Sequence, residues 1–120
     1  MPANTAHNNV TFWRATLLFG LIAVLVLALL PTADKVAFSG QDKLVHAITF
    51  AVLFLLSERS LSAGVSLWAI YPGLIGYGVL MEVLQGLTGY RYMEAMDLVA
   101  DLVGLIVGHL IVVLLGKAQR

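Results

Sequence analysis

Four long apolar stretches constrain this chain more than any other feature. A helix that crosses a bilayer needs about 20 largely apolar residues, because the hydrocarbon core is about 30 Å thick and each residue rises about 1.5 Å. The first stretch, 11–30, contains ATLLFGLIAVLVLALL with no charge after Arg14. It opens on Phe12 and Trp13, aromatic side chains that favour the membrane interface, and Pro31 ends it. The second, 42–57, is LVHAITFAVLFLLS behind Asp42 and Lys43. It is short for a span, so its first turn is expected to reach the headgroup layer. Glu58 and Arg59 close it, and 60–64 reads as a polar turn. The third, 65–87, contains Pro72 and Gly73, which predicts a kink or a broken turn there. The fourth, 96–115, is followed by Gly116, Lys117 and a polar tail.

Composition agrees with spans rather than with a soluble core. The chain has 120 residues, 60% hydrophobic and only 12% charged, where soluble domains carry roughly 25% charged residues. A globule with so little charge could not cover its surface with polar groups, whereas a lipid-facing surface has no such need. Without water in the hydrocarbon, helices are the spanning form this pattern allows. The expected fold is an all-α membrane protein, a compact bundle of four transmembrane helices forming one domain over 1–120. The formal net charge is zero, so nothing points to nucleic acid. With no cysteine, disulfides, thiolate metal sites and thiol catalysis are excluded. The first stretch is longer than the 7–15 residues of a signal-peptide core, and Pro31-Thr32-Ala33 is a poor cleavage site, so it is expected to remain as a span. Basic residues in the connections vote for both termini in the cytoplasm, with Arg14, Arg59, Lys117 and Arg120 inside against Lys35, Lys43 and Arg91 outside.

Ionisable groups at helix depth are costly and usually face the bundle interior, where they mark function or a structural pairing. Here they are Asp42, Lys43 and His46 at the head of the second helix, Glu82 and Gln85 near the end of the third, Arg91 in the following loop, and Asp97 and Asp101 at the head of the fourth. In an up-and-down bundle all of these converge on one rim, the extracytoplasmic one by the orientation above. Asp42, His46 and Thr49 share a helical face, as do Glu82 and Gln85, and as do Asp97, Asp101, Gly104 and Gly108. Gly104 and Gly108 form a GxxxG pattern, which lets another helix backbone approach closely. Structural alternatives stand beside each reading. Asp42 and Asp97 fit as helix caps, Arg91 as a lipid-phosphate anchor, and the whole charged set as a closed ionic network.

The set resembles the VanZ-like family. Asp42-Lys43-Leu-Val-His46 resembles its D-K-x-x-H motif, and Glu82-Val-Leu-Gln85 its E-x-x-Q. Arg91, then Asp97-Leu-Val-Ala100-Asp101-Leu-Val-Gly104 with Gly108, resembles its R-x5-D-x-x-A-N-x-x-G-x-x-x-G pattern. The likeness covers about 42–108. One position departs from it: Asp101 stands where the family usually has Asn. The family is named for a small membrane protein that confers teicoplanin resistance. The resemblance therefore implies a multi-pass protein of the bacterial cytoplasmic (inner) membrane, associated with the cell envelope, and leaves glycopeptide resistance as an expectation.

Three functions compete. In the first, the rim binds an anionic lipid or a lipid-linked cell-wall or glycan precursor. Lys43 and Arg91 hold phosphate, Glu82 and Asp97 orient those cations, and Gln85 and His46 donate hydrogen bonds. In the second, a hydrolase or transferase acts on a lipid-linked substrate, with His46 as base or nucleophile oriented by Asp42 or Glu82. No serine elbow, HExxH or phosphate-cradling glycine loop accompanies it, and one His with scattered acids (His46, Glu82, Asp97) is a weak metal signature. No metal or cofactor is therefore expected. In the third, the GxxxG stripe docks a membrane-protein partner or a second copy of the chain, and the charged rim is an ionic latch.

Overall fold

The computed structural model describes residues 2–30, 39–62, 64–89 and 94–116. They form four helices, α1 (Pro2–Leu29), α2 (Ser39–Ser60), α3 (Ile70–Leu87) and α4 (Ala95–Gly116), with no strand among the described residues. Three segments are long and apolar enough to cross a membrane: Asn9–Leu29, Leu67–Leu87 and Ala95–Gly116.

Local sequence explains each helix end. α1 stops at Leu29 because Leu30 precedes Pro31, a position that disfavours the α conformation. α2 is longer than the sequence suggests, at 22 residues. Asp42 in its first turn and Arg59 in its last complement the helix dipole at both ends. Its C-terminus has a capping donor from another helix, since Arg14 Nε donates to the Ser60 carbonyl at 3.0 Å. Arg14 also donates to Ser62 Oγ at 3.1 Å, and the Arg59 guanidinium lies over the Trp13 ring at 5.6 Å.

The kink expected at Pro72 takes another form. A 3-10 turn, Leu67–Ala69, is capped by Ser66, whose Oγ accepts from the Trp68 amide at 3.2 Å, and leads directly into α3. Pro72 thus sits in the first turn of α3, where its missing N–H would have had no helical partner. α3 ends where the Thr88 amide and hydroxyl both donate to the Gln85 carbonyl, at 3.2 and 2.6 Å. Gly89 follows at φ +84°, a left-handed stop that side chains resist.

The tightest packing is between α2 and α4. Gly104 and Gly108 make it possible: a methyl at Gly104 would run into the Ala47 carbonyl, and one at Gly108 would meet Phe54 Cβ at 2.8 Å and the Ala51 carbonyl at 2.9 Å. The GxxxG stripe is therefore covered by this chain's own α2. Of the three competing functions, the docking of a partner through this stripe would have to share it with α2. Phe50, Leu53, Phe54, Ile70, Leu74, Met81, Leu105 and Val112 form the core. α1 leans on it through half-buried Leu17, Leu21, Val24, Leu25 and Ala28. Hydrogen bonds from α3 hold α1 in place: Tyr77 OH donates to the Leu21 carbonyl at 2.5 Å and Gln85 Nε2 to the Ala28 carbonyl at 2.9 Å. The outer faces are apolar, Phe19, Leu114 and Leu115 being at least 70% exposed. Exposed apolar surface on this scale is foreign to soluble monomers.

Candidate functional site

Antiparallel order brings the C-terminal ends of α1 and α3 beside the N-terminal ends of α2 and α4, and the polar residues of the helix interiors meet there. His46, Glu82, Gln85, Asp97 and Asp101 are all buried. His46 is at the centre. Its Nδ1 donates to Asp101 Oδ1 at 2.7 Å, from α2 to α4. Its Nε2 faces Asp97 Oδ2 at 3.6 Å and Asp42 Oδ1 at 3.9 Å.

Lys43 forms a second layer on the solvent side. Its ammonium lies 2.6 Å from Asp97 Oδ1, 3.0 Å from Glu94 Oε2 and 3.4 Å from Asp42 Oδ2. Asp42 and Asp97 thus each turn one oxygen to Lys43 and the other to His46. Glu82 reaches the same end from α3, its Oε1 accepting from the Glu94 amide at 3.2 Å. Among the described residues, Glu82 Oε2, Gln85 Oε1 and Asp101 Oδ2 have no hydrogen-bond partner. Asp101 Oδ2 fits against α3 because position 78 is glycine: a Cβ there would stand 2.8 Å from it.

Acid outnumbers base in this cluster, with Asp42, Glu82, Glu94, Asp97 and Asp101 against Lys43 and His46. Beside it, between α1, α2 and α3, lies an apolar-walled cleft of about 180 Å³. Val24, Leu27, Ala28, Val45, Phe50 and Met81 line it, and Asp42, His46 and Thr49 supply its polar wall. The one-face spacing of those three residues on α2 is what places them together. Chemically, the arrangement offers a buried imidazole fixed by a carboxylate, with its second nitrogen turned toward two further carboxylates and open space.

Of the residues singled out in the sequence, Asp42, Lys43, His46, Glu82, Asp97 and Asp101 come together. Gln85 is close by but ties α3 to α1. Arg91 lies outside the described residues. Sequence reasoning passed over Glu94, although it bonds both Lys43 and Glu82, and over Gly78, four residues before Glu82 in α3. It also passed over an aromatic cluster at the opposite end. There His109 Nδ1 shares a 2.8 Å hydrogen bond with Tyr71 OH, and the His109 ring stacks on Phe54 at 5.3 Å and meets Trp68 edge-on at 4.8 Å. Comparison of the chain with protein-family models, curated proteins and solved structures finds no match.

Proposed function

We propose that the chain is a VanZ-like membrane protein of the bacterial cell envelope, with four transmembrane helices and cytoplasmic termini. Its buried polar site takes the headgroup of an anionic lipid or a lipid-linked cell-wall or glycan precursor. The observation that carries this reading is the junction of the Asp42–His46–Thr49 face with an apolar-walled cleft at one end of the helices. A ligand with a polar head and an apolar chain matches both surfaces. Lys43 is the described cation suited to phosphate, and of its three carboxylates Glu94 is the most exposed, with half its side chain accessible. A phosphate enters by displacing Glu94 from Lys43, while Asp97 and Asp42 hold the ammonium in place. Arg91, on the sequence pattern, supplies the second cation.

The test is native mass spectrometry of the wild type and of the Lys43→Ala and Arg91→Ala variants in mild detergent. A specific anionic or precursor lipid, retained by the wild type and lost by either variant, is the expected result. Equal, unselective lipid in all three defeats the reading and leaves the charged cluster as a structural latch. The His46–Asp101 pair, at 2.7 Å, favours a hydrolase or transferase as the second reading, with Asp101 rather than Asp42 or Glu82 orienting the base. It requires that His46→Gln abolish turnover of a lipid that the variant still binds.

A further inference from the structure

Three potential ligand atoms of the buried cluster come close to one another. Asp42, His46 and Asp97 each offer one ligand atom, and these atoms lie within 4.8 Å of one another. Asp101 Oδ1 lies 2.7 Å from Nδ1, so the neutral imidazole that keeps its hydrogen on Nδ1 turns Nε2 toward Asp97 Oδ2 and Asp42 Oδ1, and a metal there takes the place of the Nε2 proton. A carboxylate behind a histidine in this way is the usual support of a metal-bound imidazole. Lys43 does not occupy the gap, since it binds the opposite oxygens of the same two carboxylates.

We propose that Asp42, His46 and Asp97 hold one divalent transition-metal ion, with Asp101 fixing the imidazole. Tetrahedral bonds of about 2.0–2.2 Å put ligand atoms about 3.3–3.6 Å apart, so Asp97 Oδ2 at 3.6 Å from Nε2 is in place and Asp42 Oδ1 at 3.9 Å closes in by about half an ångström. One nitrogen with carboxylate oxygens suits ions of the Zn²⁺ and Mn²⁺ type. Glu82 is the independent sign that a cation belongs here. It is 1% exposed, its Oε2 has no partner among the described residues, and its charged neighbours are Asp97, His46 and Asp101. A carboxylate oxygen buried without a donor is expensive, and positive charge among these neighbours lowers that cost. Asp42 and His46 also line the cleft, which provides an entry path and an open coordination position. The proposal is independent of whether the site takes a lipid headgroup.

The experiment uses full-length protein carrying a histidine-free affinity tag, purified in mild detergent, stripped with a chelator and titrated with Zn²⁺ by calorimetry. Bound metal is counted by elemental mass spectrometry. One Zn²⁺ per chain is expected for the wild type. His46→Gln and Asp42→Asn should lose it, and Asp101→Asn should bind about 10–100-fold more weakly. His109→Gln, at the opposite end, should bind as the wild type does. A monodisperse wild type that takes up no stoichiometric Zn²⁺ overturns the proposal, as does uptake unchanged in His46→Gln. Should His46→Gln fail to fold, Asp42→Asn decides alone, because Asp42 is at the helix start with a fifth of its side chain exposed.

Discussion

Asp101 is the residue at which this chain departs from the pattern it otherwise resembles, and its surroundings say what the departure requires. One oxygen bonds His46, and the other rests against Gly78 without a donor among the described residues. An amide keeps the first contact with its oxygen and turns its amino group to α3. Asp101→Asn should therefore leave the thermal midpoint in detergent within a few degrees of the wild type. Asp101→Ala strands the buried imidazole N–H and should cost about 1–3 kcal/mol. A thermal-shift comparison in which the two variants melt together would remove the hydrogen bond from the account. The gathering of Asp42, His46, Asp97 and Asp101 was legible in the sequence because spacings of four residues put them on helix faces. The direct bond between His46 and Asp101 was not, because it depends on how α2 and α4 rotate about their axes. Glu94 was hidden for a related reason: its part in the site follows from loop geometry, which has no periodicity to read.

At the scale of the helix, the contact between α2 and α4 decides stability. Gly104→Ala drives a methyl into the Ala47 carbonyl and should destabilise by about 1–3 kcal/mol through overpacking. Gly76→Ala is the matched control. Nothing lies within 4 Å of its added carbon, and alanine is the better helix former by about 1 kcal/mol, so that variant should be neutral or slightly more stable. Equal loss at both positions, read by unfolding in mild detergent, would mean that the α2–α4 contact is looser than described. Gln85→Leu removes the hydrogen bond from α3 to the end of α1 and should cost about 0.6 kcal/mol, the usual scale for such bonds in membranes. The GxxxG pattern told correctly that a backbone comes close. That the backbone is α2 of the same chain required the packing, since small-residue spacing carries no address. Helix existence was plain from the apolar runs. The ends of α2 were not, because Ser39, Gly40 and Ser60 have no apolar character to extend the run.

For the whole molecule, the absence of cysteine makes membrane orientation directly measurable. With cytoplasmic termini, an Ala95→Cys variant is labelled by a membrane-impermeant thiol reagent from outside intact cells. A Ser62→Cys variant is labelled only after the cells are opened. The reverse pattern inverts the bundle and places the His46 cluster at the cytoplasmic face. The order of the helices along the chain has a consequence for biogenesis. α2 is absent from the three strongly apolar segments, yet it contributes Phe50, Leu53 and Phe54 to the core and His46 to the polar site. Its closest partner, α4, leaves the ribosome only after α3 has passed. On the proposed four-span reading, α2 enters the membrane before Glu94, Asp97 and Asp101, which pair with Lys43 and His46, exist, at a translocon cost of about 2.5–3.5 kcal/mol for each charge carried to helix depth. On that reading a later-made segment commits an earlier one to the bilayer, and a ribosome stalled after Gly89 leaves α2 as the helix most exposed to membrane quality control.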